Sequence, residues 1–457
     1  MSKQLFLLLG FVLSGLAGCR KFLAKSPDIS LVQPSSISDF RTLLDNNALT
    51  VNVTPGLGPL SADDIEMDTA VWNKANSVLQ GAYIWKPSIY QQGNIAKSWA
   101  NPYAAINICN VVLGGMDKLH DIDAASRMEF NAVYGSALFY RAFCYYNLEE
   151  TYGQPHRPES AGMLPGVPLR LTDDASRQTP RAPVDSVYSQ IINDLRRSLS
   201  LLPAGVQPYH NRPGIPAALA LMARVCLSRQ DYPSALYWAD SCLRTWHELL
   251  DYNIVRGSGL RPFPDSTNPE ILFQCSVNDY LSAWFGQIKV DSALFSSYAR
   301  NDLRRSVFFQ PMVTGGGVFF KGNYTGGFFL FSGLSIDETL LIRAECNARA
   351  GNTGAALEDI NTLLLHRWKT GTFQPYTTMP ADSALRLVLQ ERRKETLCRE
   401  LRWFDLRRLN QDTHFAITLK RSLGNILYTL PPNDLLYAFQ IPISEIQLGG
   451  LQQNPTP

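Results

Sequence analysis

The sequence lacks any large excess of charge of either sign. Its 457 residues include 42 basic and 40 acidic side chains, which gives a formal charge of +2, and charged residues make up only 18% of the chain. A surface that follows a phosphate backbone needs a concentrated positive field, so this balance predicts no nucleic-acid partner. The apolar content of 45% is sufficient for a substantial core and excludes wholesale disorder.

Catalytic and metal-binding motifs are also missing. The six histidines are dispersed, and the sequence contains no HExxH, no GxSxG, no P-loop and no dinucleotide-binding glycine pattern. The neighbouring carboxylates Asp63 and Asp64 are a poor glycosidase pair, because adjacent residues rarely place two carboxyl groups across one bond. We therefore predict no enzyme activity, no metal site and no cofactor.

The eight cysteines show no C-x-x-C spacing. If Cys19 is lipidated, as argued next, seven cysteines remain, and an odd number cannot pair completely. The favoured interpretation is that these seven are buried thiols that pack as small apolar side chains. A chain of this length needs no disulfide framework.

No segment beyond the N-terminus has the roughly 18 consecutive apolar residues of a membrane span. Residues 1–18 instead have the features of an export signal, with Lys3 ahead of an apolar run at residues 5–13. Leu16-Ala17-Gly18-Cys19 then matches a bacterial lipobox, although an ordinary secretory signal with a chance cysteine is the alternative. We predict that Cys19 carries the lipid and attaches the mature chain to a membrane outside the cytoplasm.

Helical periodicity is clear in residues 99–152, 184–245, 336–368 and 381–410. Residues 217–245 and 338–366 form an internal repeat in which Ala223 matches Ala344 and Ala235 matches Ala356, with a short turn in the middle of each copy. Small residues at fixed places are typical of tetratricopeptide-like helix pairs. Because the copies are not contiguous, a simple tandem solenoid is excluded.

The stretch from Leu385 to Asn410 contains no Gly or Pro, and we predict one helix there. Charged residues fall on its apolar face, and buried charges need partners. Spacings of three and four residues predict an ion network within the helix, docked by Trp403. A solvated basic helix is the alternative. The predicted structural residues are Arg392, Glu395, Arg399 and Trp403.

Part of this stretch, ERRKETLCRELRWFDLRR, closely resembles the C-terminal signature of the SusD/RagB family of surface nutrient-binding lipoproteins from Bacteroidetes-type bacteria. The lipobox, a Trp99-x-x-x-Tyr103 helix, an Arg141-Ala142-Phe143 helix, the helix pairs and an IPxxEI segment at 441–446 follow the family's order. The resemblance spans nearly all of residues 19–455. The usual closing Gly-Tyr is replaced by Thr456-Pro457.

The resemblance implies a single mainly α domain over residues 19–457, a SusD-like superhelix of tetratricopeptide-like helix pairs with little β-structure. Residues 99–245 and 336–410 would form the scaffold, and residues 50–98 and 247–335 would be loop-rich ligand-side regions. It also implies an outer-membrane lipoprotein that binds nutrient oligosaccharides and docks on a SusC-like TonB-dependent transporter. A peptide-binding receptor and a non-binding lid of the transporter remain alternatives.

The two loop-rich regions carry aromatic residues outside any helical period. Sugar rings stack on flat aromatic faces, with Asn, Asp, Gln or Lys nearby for their hydroxyl groups. In the family, loops from these two regions approach each other, but their individual residues vary and do not transfer. Each aromatic residue has the alternative role of packing under a long loop. The candidate ligand contacts are Trp72, Tyr83, Trp85, Tyr90, Trp284, Phe319, Phe320 and Tyr324.

Overall fold

The computed structural model describes residues 34–91, 95–174, 176–263, 268–278, 280–281, 284–327 and 329–457. The predicted signal segment and the lipobox with Cys19 lie outside the described residues.

Helices dominate the four stretches in which the sequence predicts them, and the two loop-rich regions contain only short elements. This confirms the mainly α prediction. In chain order the helices are α1 (Ile37–Leu44), α2 (Gly58–Ser61), α3 (Thr69–Lys74), α4 (Ser77–Tyr83), α5 (Lys97–Met116), α6 (Arg127–Tyr152), α7 (Val184–Leu199), α8 (Ile215–Ser228), α9 (Tyr232–Thr245), α10 (Ser292–Ser296), α11 (Arg304–Val307), α12 (Ile336–Arg349), α13 (Thr353–Leu365), α14 (Ala381–Glu395), α15 (Leu401–Leu409) and α16 (Ile443–Gln447).

The strands are two to five residues long, and within the described ranges they pair only as two-stranded antiparallel sheets. Sheets this small cannot form a core of their own, so they fasten loops to the helical body. The pairs are β1 (Ile65–Glu66) with β5 (Lys289–Val290), β2 (Pro165–Pro168) with β3 (Arg181–Pro183), β4 (Ile271–Phe273) with β8 (Leu334–Ser335), β6 (Phe309–Pro311) with β7 (Val318–Phe320), and β9 (Leu419–Leu423) with β10 (Ile426–Leu430).

The scaffold is a stack of helices. α5, α6, α7 and α8 pack in chain order, α8 and α9 form one helix pair, and α12 and α13 form the second. α9 packs directly against α12, although residues 246–335 lie between them in sequence. The two copies of the internal repeat are therefore neighbours in space, and the long insertion leaves and re-enters the stack at their junction.

Each helix pair turns through a residue with a left-handed backbone, and the two positions correspond in the repeat. Gln230 (φ 61°) has this conformation in the first pair and Gly351 (φ 80°) in the second. Glycine adopts it without strain, whereas glutamine does so at some cost. The alanines that define the repeat are completely buried, which allows the paired helices to approach closely.

The prediction of one continuous helix from Leu385 to Asn410 is wrong. α14 ends at Glu395 and α15 begins at Leu401. Between them, Cys398 (φ 59°) and Glu400 (φ 71°) have left-handed backbones. The break is stabilised by tertiary contacts, because the Glu400 carboxylate accepts hydrogen bonds from the backbone N–H groups of Gly56 and Gly58, both at 3.2 Å.

The seven cysteines after Cys19 are all buried and unpaired, as the sequence indicates. Among the described helices, none is long and apolar enough to cross a membrane.

Candidate functional site

The two loop-rich regions are joined to each other. Ile65 of β1 pairs with Val290 of β5, and a further isolated bridge connects Thr54 to Val277. Lys289 extends the contact with an ion pair to a neighbour of β1, Asp68, at 3.0 Å. The expectation that these regions approach each other over the scaffold therefore agrees with the structure.

An aromatic cluster lies at this junction, formed by Trp284, Phe285, Phe319 and Phe320. The rings of Phe285 and Phe319 meet edge to face, with centroids 5.1 Å apart. Apolar side chains that include Ile65 complete the lining of a small cavity of about 50 Å³. Ligand pockets usually measure roughly 300–1,000 Å³, so this cluster is a stacking surface with a shallow recess.

The polar neighbours of the aromatic cluster are already engaged. The Lys321 ammonium donates to the carbonyl oxygens of Gly257 and Gly259, and its burial lowers the pKa of Lys321. Asn323 is held by the same loop, since its Oδ1 accepts from the Phe331 N–H at 2.8 Å. In this conformation the surface therefore offers mainly apolar ring faces.

The structure brings three of the eight candidate aromatics together in the cluster. Trp284 and Phe320 are half-buried and keep part of their surface exposed, whereas Phe319 is buried and forms the base. Phe285 belongs to the same cluster and was not among the candidates. Its position directly after Trp284 was the signal in the sequence that could have indicated it.

Three other candidates require correction, because their rings are enclosed and offer no face to a ligand. Tyr83 and Trp85 are both buried, and Trp85 donates its indole N–H to the Ser61 carbonyl at 3.0 Å. Tyr324 is only 1% exposed, and its hydroxyl donates to Glu270 at 2.5 Å. These residues pack under the loops, which was the alternative for every candidate.

Trp72 and Tyr90 are half-buried and lie outside the aromatic cluster. Trp72 is on α3 and donates its indole N–H to the Gln80 carbonyl at 3.1 Å. The Tyr90 hydroxyl is 2.6 Å from both the Ser98 and the Tyr152 hydroxyls, and its ring borders a different groove, between α5 and α16.

A buried ion network holds the insertion that carries the cluster. Arg304, at the start of α11, is completely buried and bonds Asp302 at 2.7 Å. The same guanidinium reaches α14, where it contacts Glu391 at 2.6 Å and Glu395 at 2.9 Å. This insertion side chain is therefore fixed to α14 by two ion pairs, and a third ion pair, with Asp302, lies within the insertion.

A second arginine extends this network. Arg367 bonds Glu395 and Glu270, both at 2.7 Å. Burial raises the pKa of Glu270 to about 7, although the guanidinium of Arg367 favours its ionised form. Glu270 also accepts the hydroxyl of Tyr324, so the network continues under the loop that ends the insertion.

The four predicted structural residues are buried, but their partners are not those predicted. Arg392 bonds Asp405 of α15 at 2.9 Å, and Arg399 bonds Asp337 of α12 at 2.8 Å. Glu395 pairs with Arg304 and Arg367, as described above. The prediction of partners within one helix is therefore wrong, because the broken helix turns these side chains toward other elements.

Trp403 is fully buried and stacks on Tyr437, with ring centroids 4.9 Å apart. It also contacts Phe439 at 5.6 Å between centroids. The side chain thus joins α15 to the C-terminal segment.

Asp63 and Asp64 are bound by arginines of the C-terminal helices. Arg402 contacts Asp63 at 2.7 Å, and Arg393 contacts Asp64 at 3.0 Å. Burial opposes ionisation of Asp63, but Arg402 and Arg393 outweigh it and hold the pKa of that carboxyl below its usual value. This arrangement is a structural clamp and does not present two free carboxylates to a substrate.

Comparison with known proteins agrees with the architecture. Residues 21–227 match a SusD-like family model described as "Starch-binding associating with outer membrane", and residues 337–456 match the model of the SusD family. Residues 228–336, which include the aromatic cluster, lie between the two matched segments.

Similar proteins were found by sequence and by structure. The chain is 23% identical to SusD-like protein P2 of Formosa agariphila in an alignment of 380 residues, and the match covers 69% of this chain and 72% of that protein. A SusD superfamily structure from Bacteroides thetaiotaomicron has a TM-score of 0.74 at 20% identity, covering 92% of this chain and all of the other. A putative sugar binding protein from Bacteroides vulgatus has the same TM-score at 19% identity, with 93% and 99% coverage. Because SusD family models match both segments, which together cover most of the chain, this chain belongs to the SusD/RagB family.

Proposed function

We propose that this chain is an outer-membrane lipoprotein of the cell surface that binds nutrient glycans and delivers them to a SusC-like TonB-dependent transporter. The observation that carries the proposal is the aromatic cluster at the junction of the two loop-rich regions. Family membership supports it, as does the description of the matched SusD-like family model as starch-binding. The similar structure from Bacteroides vulgatus is also named a putative sugar binding protein.

The contact with a glycan would be made through ring faces. Trp284 and Phe320 keep exposed surface, and the C–H face of a sugar ring stacks on such a surface. The nearby Lys321 and Asn323 are tied to backbone groups, so they shape the recess and leave the hydroxyl groups of the sugar to water. No bond-breaking step belongs to this proposal, since Asp63 and Asp64 are held by arginines.

The direct test is a glycan array probed with the chain lacking residues 1–19. Trp284→Ala should weaken binding to the best glycan by up to about tenfold, because a stacking contact with one aromatic ring is typically worth about 0.5–1.5 kcal/mol. Trp72→Ala is the matched control, as it removes a half-buried indole outside the aromatic cluster and should leave affinity unchanged.

The other possible outcomes of the glycan experiment would each change the proposal. Unchanged affinity in a folded Trp284→Ala variant would place the site elsewhere, with the Tyr90 groove as the next candidate. Absence of any glycan binding would favour the peptide-receptor or the non-binding lid.

The lipid anchor at Cys19 and the transporter partner are tested by separate experiments. Cys19→Ala should release the protein from the membrane fraction or leave it unprocessed, and retention as tight as in the wild type would contradict the lipobox interpretation. Purification from native membranes should recover a large barrel protein with this chain, because permanent interfaces bury thousands of Å² and survive detergent. Isolation of the chain alone would count against the transporter.

A further inference from the structure

A second, larger groove lies on the scaffold, away from the aromatic cluster. It runs along α12, between α9 on one side and α13 on the other, and has a volume of about 670 Å³. The lining of α12 extends from Ile336 to Asn347, which is about 16 Å of helix at 1.5 Å per residue. An extended polypeptide rises about 3.3 Å per residue, so about five residues fit along this length.

Asn347 is an unpartnered polar side chain on the floor of the groove. The residue is only 8% exposed, and its amide makes no hydrogen bond within the described chain. A carboxamide has both donor and acceptor groups, which match the C=O and N–H of one peptide unit. An occupant that covers this amide removes its contact with water, so the groove favours an occupant whose own polar groups replace that contact.

The charges of the groove are almost balanced, with one exception. Arg343 bonds Asp359 at 2.6 Å and Asp240 at 3.1 Å, and Arg244 also pairs with Asp240. Glu358 lines the wall, is exposed, and has no ion pair among the described residues. A single uncompensated carboxylate beside a neutralised floor favours one basic side chain of an occupant.

The opposite wall offers a place for the stem of such a side chain. Tyr237 on α9 is 60% exposed and lines the groove. Lys and Arg pack their methylene stems on aromatic surfaces while their charged ends reach a carboxylate. The peptide backbone of such an occupant can therefore pair with Asn347. The charged end of its basic side chain can pair with Glu358, and the methylene stem can pack on Tyr237.

We propose that this groove binds an extended polypeptide segment with a lysine or arginine side chain, in a site separate from the glycan surface. The segment would lie along α12, with one peptide unit paired to Asn347 and a basic side chain crossing Tyr237 to reach Glu358. The proposal does not depend on glycan binding, and either can fail without the other.

The test uses the chain from residue 20 onward, which includes every described residue, and fluorescence anisotropy with two labelled octapeptides. One alternates threonine with lysine and the other alternates threonine with glutamate, because threonine favours an extended backbone in both. The lysine peptide should bind at least tenfold more tightly, and added salt should weaken it. Glu358→Gln and Asn347→Ala should each lower its affinity about five- to tenfold.

Matched controls separate the groove from general surface effects. Glu159→Gln removes an exposed carboxylate elsewhere, and Tyr209→Ala removes a tyrosine that is 67% exposed, as a control for Tyr237→Ala. Both control variants should bind as the wild type does. Because Glu358 and Tyr237 are on the surface, their variants remain informative if Asn347→Ala fails to fold.

The proposal is overturned if the lysine peptide does not bind, if the glutamate peptide binds equally well, or if the groove variants retain full affinity. A dimer in sedimentation that Tyr237→Ala dissociates would assign the groove to a second copy of this chain and would also overturn it. A glycan whose binding is lost in Tyr237→Ala but not in Trp284→Ala would assign the groove to sugar, contradicting both this proposal and the location of the glycan surface.

Discussion

The helical scaffold and the two loop-rich regions differ in how much apolar packing supports them. The stack from α5 to α9 and from α12 to α14 packs mainly through apolar faces and small residues such as Ala235 and Ala356, which are completely buried. A few buried ion pairs, such as Arg141 with Asp194, add to this packing. The loop-rich regions have strands of two or three residues, and their long-range anchors include arginines. The buried Arg304 and the half-buried Arg393 both bond residues far away in sequence.

This difference determines how each region responds to change. Apolar packing is non-directional, so a scaffold can adjust when one contact weakens. A buried ion pair is different, because removal of one partner leaves the other charged and desolvated. The position of the aromatic cluster therefore depends on a few C-terminal side chains, notably Glu391 and Glu395, that are remote from it in sequence.

The largest expected effect is the loss of Arg304. Arg304→Met keeps the volume of the side chain but leaves Asp302, Glu391 and Glu395 without this guanidinium, which should lower the free energy of unfolding by about 3–5 kcal/mol. Urea denaturation measures it. Arg300→Met is the control, because Arg300 is exposed nearby and has no ion pair in the described chain. If Arg304→Met and Arg300→Met were equally stable, the loop-rich insertion would not depend on the buried ion pairs of Arg304.

The second effect tests an apolar anchor of the same C-terminal segment. Trp403→Ala should cost about 3–5 kcal/mol, since the ring is enclosed and stacked on Tyr437. Chemical denaturation measures the loss, and the glycan array should show an unchanged ligand preference in the protein that remains folded. Altered preference at full stability would mean that Trp403 acts on the ligand surface and not on the core.

The sequence predicts the scaffold well because its helices are determined by residues close together in sequence. Apolar residues at helical spacing fix α5 to α9, and Ala223 and Ala344 mark corresponding places in the repeat. The same reasoning fails at the helix break, because the left-handed residues Cys398 and Glu400 are not glycines and carry no local signal. The break results from contacts with Gly56 and Gly58, more than 300 residues away in sequence.

The candidate site was predictable as a region but not residue by residue. Aromatic residues outside a helical period indicate loops, and Trp284 and Phe320 do lie together in a loop-rich region. The pattern cannot distinguish an exposed ring from one covered by a loop, as Trp85 and Tyr324 show. Ion pairs such as Arg304 with Glu395 are equally invisible, since they join elements 91 residues apart.

The third effect concerns pH and the loop that Glu400 holds. Burial raises the pKa of Glu400 to about 7 from its usual value of 4.5, and hydrogen bonds from Gly58 and Gly56 only partly oppose this. The folded chain thus binds this proton more tightly between pH 4.5 and about 7, so the contribution of Glu400 to stability is largest below pH 4.5 and is lost as pH rises through that window. The change is on the order of 3 kcal/mol.

Glu400→Gln isolates this contribution, because the amide keeps an acceptor oxygen for the two N–H groups but does not titrate. We expect the stability of the wild type relative to the variant to fall between pH 5 and pH 8, as measured by urea denaturation at each pH. A constant difference across this range would show that Glu400 is ionised in the folded protein throughout.

The smallest expected effect concerns the buried alanines of the helical scaffold. Ala235→Leu and Ala356→Leu enlarge side chains at corresponding buried places in the two helix pairs, and overpacking typically costs about 1–3 kcal/mol. Thermal unfolding measures both, with Ala381→Leu as a control at an exposed helical position that should change stability little. Because the two pairs repeat the same packing, the two costs should be similar.

A much larger cost at Ala356, whose helix pair also packs against α14 and its ion network, would mean that the charged anchors stiffen the scaffold itself and that the two regions are not independent. Equal costs, both below that of Arg304→Met, would confirm that the scaffold tolerates local change while the insertion depends on single charges.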